Sequence, residues 1–100
     1  MRVIAKRTLR EFWERTPAHR DTRRALEAWH REARNADWRS PHDVKSRYRA
    51  ASILGNGRVV FNICGNKYRL VVRVNYSVGV VLVRFVGTHA EYDGIDAESI

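Results

Sequence analysis

Three β-rich runs in the second half of the chain constrain its fold more than any other feature. Residues 58–63, 68–76 and 80–86 are rich in β-branched and aromatic side chains. Turn residues precede or separate these runs at Gly55-Asn56-Gly57, Gly65-Asn66 and Ser77-Val78-Gly79. Short connections of this kind join antiparallel neighbours, so the runs predict a small antiparallel sheet.

Side chains in the predicted strands alternate between two faces. In the second strand, one face is expected to hold Tyr68, Leu70, Val72, Val74 and Tyr76. The other face is expected to hold Arg69, Val71, Arg73 and Asn75. In the last strand, Arg84 is expected to face the same way as Val80, Leu82 and Val86. The sheet should therefore have an apolar face for packing and a second face that carries arginines.

The first half of the chain carries helical patterns. Thr8 and Glu11 match a capping box, which predicts that a helix begins at Thr8 and runs to about Arg15. Further expected elements are a strand over 2–5, a helix over 21–35 and a short helix over 41–48. A chain of 100 residues buries enough surface for one core. The sequence thus predicts a single α+β domain over 1–100, with two or three N-terminal helices packed on the sheet.

Charge is distributed unevenly along the chain. With 19 Lys and Arg residues against 11 Asp and Glu residues, the net charge is +8. Residues 44–90 hold eight of the bases and no acid, while residues 91–100 hold four acids and no base. Residues 1–43 hold eleven bases and seven acids. The excess indicates an anionic partner, most often nucleic acid, and it is concentrated in the predicted sheet.

Several protein classes are disfavoured by the sequence. Cys64 is the only cysteine, so neither an intrachain disulfide nor a cysteine zinc cluster can form. The apolar run 78–83 is far shorter than the roughly 20 residues of a membrane span, and residues 1–13 lack the apolar core of a signal peptide. We therefore expect no membrane association, and a reducing cytoplasm as the location.

Four segments resemble the HigB family of toxins from type II toxin–antitoxin systems. They are Arg47-Tyr-Arg-Ala-Ala-Ser-Ile-Leu54, Arg58-Val-Val-Phe-Asn-Ile63, Gly65-Asn-Lys-Tyr-Arg-Leu-Val71 and Arg84-Phe-Val-Gly-Thr-His-Ala-Glu-Tyr-Asp93. The resemblance covers nearly the whole chain and implies a RelE-like fold, to which a short C-terminal helix would belong. It also implies cleavage of messenger RNA on the ribosome and neutralisation by a HigA-type antitoxin with a helix-turn-helix region. Contact with DNA is then expected only through the antitoxin complex.

Metal-independent RNA cleavage requires few protein groups. The 2′-hydroxyl of the RNA attacks the adjacent phosphorus, so the protein must orient that oxygen, move protons and stabilise charge on the phosphate. The sequence shows no paired carboxylates or histidine cluster that would indicate a metal site. We expect neither a metal nor a cofactor.

Four cations of the predicted sheet are candidates for phosphate binding: Lys67, Arg69, Arg73 and Arg84. Lys67 and Arg69 are two residues apart, so they are predicted to share a face and could grip one phosphate together. An ordinary solvated sheet face would show the same pattern. The absence of any acid within 44–90 favours phosphate binding, although acids from elsewhere in the chain could still pair with these cations.

A second group of candidates follows the last strand. Histidine side chains can donate or accept a proton in the physiological pH range, so His89 is the candidate general base or acid, although an exposed or capping histidine is the simpler interpretation. Asp93, four residues later, would share a helical face with His89 and could orient it. Tyr92 could stack on a base or donate to a phosphate, whereas Glu91 completes a second capping box with Thr88. The family resemblance implies that this segment lies at the active surface.

Arg47 and Arg49 flank Tyr48 and are candidates for contact with messenger RNA, ribosomal RNA or acidic residues of the antitoxin. Tyr48 itself fits a core position equally well. The second predicted helix carries Arg23, Arg24, Arg31 and Arg34, which are either a solvated face or contacts with ribosomal RNA. The three tryptophans are expected in the core.

Two other functions fit parts of the same sequence. A toxin of related fold could bind a protein target such as gyrase, as ParE-type toxins do, and would need no proton-transfer residues. A non-catalytic RNA-binding module would use the charge but not His89. Cleavage of translated messenger RNA that depends on His89 would distinguish an endoribonuclease from both.

Overall fold

The computed structural model describes residues 1–15 and 17–100 and has the predicted α+β architecture. A short 3₁₀ turn, Pro17–His19, joins the first two helices. The helices are α1 (Lys6–Arg15), α2 (Thr22–Asn35), α3 (Pro41–Arg47) and α4 (His89–Asp93). The strands are β1 (Arg2–Ile4), β2 (Ser52–Ile53), β3 (Arg58–Ile63), β4 (Tyr68–Asn75) and β5 (Val80–Thr88). Every predicted helix and strand is therefore present, with ends shifted by one or two residues where bounds were predicted. The short C-terminal helix is confirmed as α4, and only β2 is added.

The strands form one mixed sheet in the order β1-β5-β4-β3-β2. β2 to β5 are antiparallel neighbours, as the turn residues predict. β1 instead runs parallel to β5, with Arg2 opposite Val80, so the expectation of a purely antiparallel sheet is wrong at this edge. The cause is connectivity, because three helices and three strands separate β1 from β5 and a long connection permits parallel pairing.

Helix α1 begins at Lys6, two residues before the predicted cap. The chain turns directly after β1, and the N–H of Thr8 bonds the carbonyl of Ala5, so Thr8 lies inside the helix. Glu11 accepts a hydrogen bond from Arg7 at 2.8 Å instead of capping the helix. The capping box predicted for Thr8 and Glu11 is therefore wrong.

Helices α1 and α2 cover one face of the sheet and enclose the main core. The buried residues of this core include Leu9, Leu26, Trp29, Val59, Phe61, Leu70, Val72 and Val81. Trp29 meets Phe61 edge to face, with ring centres 5.4 Å apart. The three tryptophans are only 3% to 6% exposed, which confirms their prediction as core residues.

The opposite side of β3, β4 and β5 is called the open face. Residues that pair across strands share a face, so Arg58, Arg73 and Leu82 form one row on it, and Asn62, Arg69 and Gly87 form another. A third row, of Val60, Val71 and Phe85, lies between them and is partly covered by the C-terminal segment through Ala97. The open face therefore has an apolar middle with cations on either side.

A β-bulge in β5 changes which residues share the open face. Val71 pairs with Phe85 and Val72 pairs with Val83, so Arg84 is the extra residue of the bulge. Beyond it the alternation is shifted by one residue, and Val86 packs into the main core. The expectation that Arg84 and Val86 face the same way is wrong for this reason.

Among the described residues, no helix has the length and apolar character needed to cross a membrane.

Candidate active site

His89 is the first residue of α4 and follows directly after β5. Thr88 caps this helix: its hydroxyl accepts the N–H of Glu91, and the Glu91 carboxylate accepts the N–H of Thr88. Asp93 lies one turn later, and its Oδ2 is 3.2 Å from His89 Nδ1. The His89 side chain is 50% exposed, so the imidazole is oriented by Asp93 while half of it remains accessible. The second capping box and the shared face of His89 and Asp93 both lie where the spacing predicts them.

Helix α4 is also anchored to α1. Arg15 Nη2 donates to both carboxylate oxygens of Glu91, at 3.2 Å each. The N–H of Thr88, and to a smaller extent Arg15, lowers the pKa of Glu91 against the opposing effect of partial burial. Glu91 is therefore a structural carboxylate that fixes the start of α4, and with it the position of His89.

Lys67 lies in the turn before β4 and reaches toward the helices. Its Nζ is 2.9 Å from Oδ2 of Asp21, whose Oδ1 also accepts the Tyr68 hydroxyl at 2.9 Å. The hydrogen bond from Lys67 is the largest cause of a lowered pKa at Asp21, and the same bond raises the pKa of Lys67. The carbonyl of Lys67 accepts the N–H of His89 at 3.3 Å. Lys67 thus neighbours the candidate site through its main chain.

Arg69 turns its guanidinium back onto its own turn. It donates to the side-chain and main-chain oxygens of Asn66, at 2.6 and 3.0 Å, and to the carbonyl of Tyr68 at 3.2 Å. Its side of β4 is the open face, whereas Lys67 precedes the strand and pairs with Asp21. The prediction that Lys67 and Arg69 share a face is therefore wrong, because strand alternation begins only at Tyr68.

Arg73 and Arg84 are the exposed cations of the open face and its bulge. Arg73 lies between Arg58 on β3 and Leu82 on β5. Arg84 is exposed at the bulge, beside the pairs that Val71 and Val72 make. Neither arginine forms a salt bridge within residues 1–15 and 17–100. Their charge is therefore available to an anionic ligand.

Tyr92 of α4 packs beside the apolar middle of the open face. It is partly buried against the cluster of Val60, Val71 and Ala97. Packing on this side connects α4, which begins with His89, to the open face. Within the described parts of the chain, no group of three or more His, Cys, Asp or Glu side chains is placed to hold a metal ion.

Comparison with known families decides the class of this protein. A model of the HigB toxin family, described as the RelE-like toxic component of a toxin-antitoxin system, matches residues 22–95. This chain belongs to the HigB toxin family. It is a toxin of a toxin–antitoxin system, and the family implies an antitoxin partner. The match runs from α2 through α4 and includes every candidate site residue. No curated protein matches the chain.

In this HigB-family chain, Arg47 lies away from the candidate site. Its guanidinium is 3.4 Å from the Glu32 carboxylate of α2 and stacks over the ring of Tyr48, 5.3 Å from its centre. Tyr48 packs against the main core and donates its hydroxyl to Glu32, and burial and Glu32 together raise its pKa. Arg49 is exposed in the following turn, whose Ala50 carbonyl accepts the side-chain amide of Asn62. Of Arg47 and Arg49, it is therefore Arg49 that lies beside the open face.

Two residues that position the site of this HigB-family toxin have no signal in the sequence. Asp21 fits the cap of the second helix, but its carboxylate makes no capping bond and binds Lys67 and Tyr68 instead. Arg15 ends α1 and reaches Glu91, 76 residues further along the chain. Both contacts depend on how the helices lie against the sheet, so residue spacing alone could not reveal them.

Proposed function

We propose that this toxin is a metal-independent endoribonuclease that cleaves translated messenger RNA on the ribosome. The 2′-oxygen of one nucleotide attacks the adjacent phosphorus, and the bond from phosphorus to the 5′-oxygen of the next nucleotide breaks. One proton leaves the attacking oxygen and another reaches the departing oxygen. The protein binds the phosphates, orients the reacting oxygen and transfers these protons in the cytoplasm, where translation occurs.

The pair of His89 and Asp93 is the observation that carries this proposal. Asp93 lies 3.2 Å from Nδ1 of His89, and a carboxylate in that position favours the tautomer that carries its proton on Nδ1. Nε2 is then the nitrogen that exchanges a proton with the RNA. A toxin that only bound a protein such as gyrase, or a non-catalytic RNA-binding module, would not need such a pair.

The exposed arginines supply the charge that the reaction requires. Arg73 and Arg84 bind the RNA backbone in this proposal, because both are exposed and form no salt bridge in the described residues. Arg69 adds positive potential beside Gly87, its partner on β5, two residues before His89. Lys67 holds the neighbouring turn, and the exposed part of Tyr92 stacks on an unpaired base.

The antitoxin, in this proposal, is of HigA type and carries a helix-turn-helix region that brings the complex to DNA. The open face attracts acidic side chains as well as phosphates, so an antitoxin can neutralise the toxin by covering this surface. Blocking of ribosome docking would have the same effect. A neighbouring reading frame that encodes a small helix-turn-helix protein would support this assignment.

Replacement of His89 tests the proposed activity. We expect His89→Ala to lower the rate of cleavage of translated messenger RNA by about 10²- to 10⁴-fold, the usual contribution of a general acid or base. Asp93→Asn should lower the rate by less, since the imidazole keeps a hydrogen-bond partner but loses the charge that stabilises its protonated form. Primer extension on a translated message measures both effects.

The matched control is His42→Ala. His42 is exposed on α3, and Ser46 is its only side-chain partner among the residues that the structure describes, so its loss should leave cleavage unchanged. Cleavage at the wild-type rate by His89→Ala would refute the role of His89. No cleavage by the wild-type protein during translation would refute the nuclease proposal and leave a protein-binding toxin or a non-catalytic RNA-binding module.

A further inference from the structure

A groove between α2, α3 and β3 contains two cavities that the candidate active site does not use. The first has a volume of about 170 Å³ and lies between α2 and β3. The second has a volume of about 320 Å³ and lies between the end of α2 and the end of α3. Glu32 and Tyr48 line both cavities, so the two form one groove, called the aromatic groove. Its walls include the side chains of Ala28, Trp29, Glu32, Trp38, Tyr48 and Phe61.

Packed aromatic rings form the base of the aromatic groove. Trp29, Trp38 and Tyr48 all contact Phe61, with ring centres 5.4, 6.2 and 4.9 Å from its own. These contacts hold the four rings in one cluster, so the base of the groove is apolar and rigid. On the α2 side, Ala28 is only partly buried and its small side chain leaves space above the rings. The groove therefore offers preformed apolar cavities to side chains of a partner.

Trp29 also contributes a polar atom that lacks a partner. Its side chain is 3% exposed, and its Nε1 is buried without a hydrogen-bond partner among the described residues. A buried donor without an acceptor destabilises a folded protein, so an acceptor supplied from outside is favourable there. A ligand that brings a carbonyl oxygen to this wall would satisfy the indole N–H.

The charges around the aromatic groove favour a protein over RNA as its ligand. Glu32 and Asp37 line the groove together with Arg47. Both carboxylates are paired, Glu32 with Arg47 and Asp37 with Arg39, so the walls carry no excess of positive charge. Nucleic-acid interfaces are polar and strongly positive, whereas protein interfaces have an apolar centre and a polar rim. The aromatic groove matches the second description.

Arg49 gives the rim of the aromatic groove one available cation. It follows Tyr48 directly, and the next residue, Ala50, accepts the side-chain amide of Asn62, which lines the first cavity. Arg49 is exposed and forms no salt bridge within residues 1–15 and 17–100. No acid lies near it in sequence, since residues 44–90 contain none. An acidic side chain of the partner would therefore complement this rim.

We propose that the aromatic groove is the docking site of the antitoxin. A segment of the antitoxin places one apolar side chain in each cavity, donates a carbonyl oxygen to the Trp29 N–H as its acceptor, and sets an acidic side chain beside Arg49. The proposal rests on the toxin–antitoxin class of the chain and not on the proposed nuclease activity. Neither His89 nor Asp93 is among the described residues that line the groove, so the antitoxin is anchored apart from them. From this anchor it reaches the open face across Arg49.

The test fills the groove without removing a core residue. Ala28→Gln adds an uncharged side chain on the α2 wall, and Ala18→Gln adds the same side chain at an exposed position of the Pro17–His19 turn. The probe is the purified cognate antitoxin, titrated calorimetrically into the full-length toxin. We expect Ala28→Gln to bind it about tenfold to a hundredfold more weakly, the range of an interface hot spot, and Ala18→Gln to bind as the wild type does.

Two further measurements examine the polar contacts. Arg49→Glu should weaken antitoxin binding roughly tenfold, with a loss that shrinks as salt is added, whereas Arg20→Glu reverses an exposed charge elsewhere and should not. Trp29→Phe identifies the indole N–H resonance of Trp29 by its absence from the NMR spectrum. In the wild-type toxin this resonance should shift when the antitoxin binds.

Equal antitoxin affinity of Ala28→Gln and Ala18→Gln would overturn the proposal. If Ala28→Gln unfolds at a lower denaturant concentration than the wild type, Arg49→Glu decides instead, and equal affinity of Arg49→Glu and Arg20→Glu would overturn it. Loss of antitoxin binding by His89→Ala would also overturn it, because the docking site would then lie at the candidate active site. Absence of messenger RNA cleavage by the wild-type toxin would reject the nuclease proposal and leave the docking site standing.

Discussion

At the scale of single residues, the Asp21 carboxylate forms distant contacts in place of the helix cap that its position favours. It stands at the cap position of α2 but binds Lys67 and Tyr68, 46 and 47 residues away. This contact keeps the Lys67 side chain away from the open face. It also fixes the turn in which the Lys67 carbonyl accepts the N–H of His89. The sequence does not predict which way the Lys67 side chain points, because that orientation is set by the carboxylate of Asp21, which is distant along the chain.

The lowered pKa of Asp21 predicts a dependence of stability on pH. The folded pKa lies below the ordinary value of 3.8, so the ionised carboxylate stabilises the fold above that value, and this stabilisation is lost as the pH falls through the lower, folded pKa. Asp21→Asn removes the ion pair with Lys67 while keeping an acceptor for Tyr68. We expect a small decrease in the thermal unfolding midpoint at neutral pH, since exposed ion pairs contribute little, and a difference from wild type that narrows toward pH 3.

Thermal unfolding between neutral pH and about pH 3 measures this difference. Asp37→Asn is the matched control, because Asp37 is an exposed carboxylate that forms an ion pair with the nearby Arg39. A midpoint difference for Asp21→Asn that stays constant over the whole pH range would contradict the contribution of the ionised carboxylate.

At the scale of elements, the periodicity of the sequence correctly predicts the helices and strands, whereas the capping-box pattern predicts only one of two helix starts correctly. Strands β3 to β5 follow from alternation and turn residues, since both are set by neighbours in the chain. The capping-box pattern occurs twice: Thr88 forms the cap of α4, while Thr8 lies inside α1. The bulge at Arg84 also has no local signal, because it arises from the register between β4 and β5.

The two threonines provide a matched test of the cap of α4. Thr88→Ala removes the hydroxyl that accepts the N–H of Glu91 and should lower the free energy of unfolding by about 1 kcal/mol. It should also reduce the cleavage rate, since His89 begins the same short helix. Thr8→Ala, inside α1, should change the free energy of unfolding by less than about 0.5 kcal/mol. Chemical denaturation of both variants measures the effect, and equal values would show that Thr88 does not act as a cap.

At the scale of the whole molecule, the net charge is unequally divided between the sheet, the N-terminal helices and the C-terminal segment. The acid-free segment 44–90 supplies the open face, as its composition suggests. The first half of the chain holds eleven bases and seven acids, and some of these acids form local ion pairs, as Glu11 does with Arg7 and Glu27 does with Arg23. The acidic C-terminal segment is likewise more than a charged tail, because Ala97 and its apolar neighbours pack on the open face.

Docking of the C-terminal segment can be tested with Ala97→Asp. Ala97 is 8% exposed and packs against Val60 and Val71, so a carboxylate there must either be buried without a partner or force the segment off the sheet. We expect the free energy of unfolding to fall by about 1 to 3 kcal/mol and proteases to cleave the segment more readily. Ser99→Asp adds the same charge at an exposed position of the same segment and should have little effect. If both variants unfold at the same denaturant concentration and resist proteases equally, the C-terminal segment does not contribute to the fold through Ala97, and the apolar middle of the open face is accessible to partners.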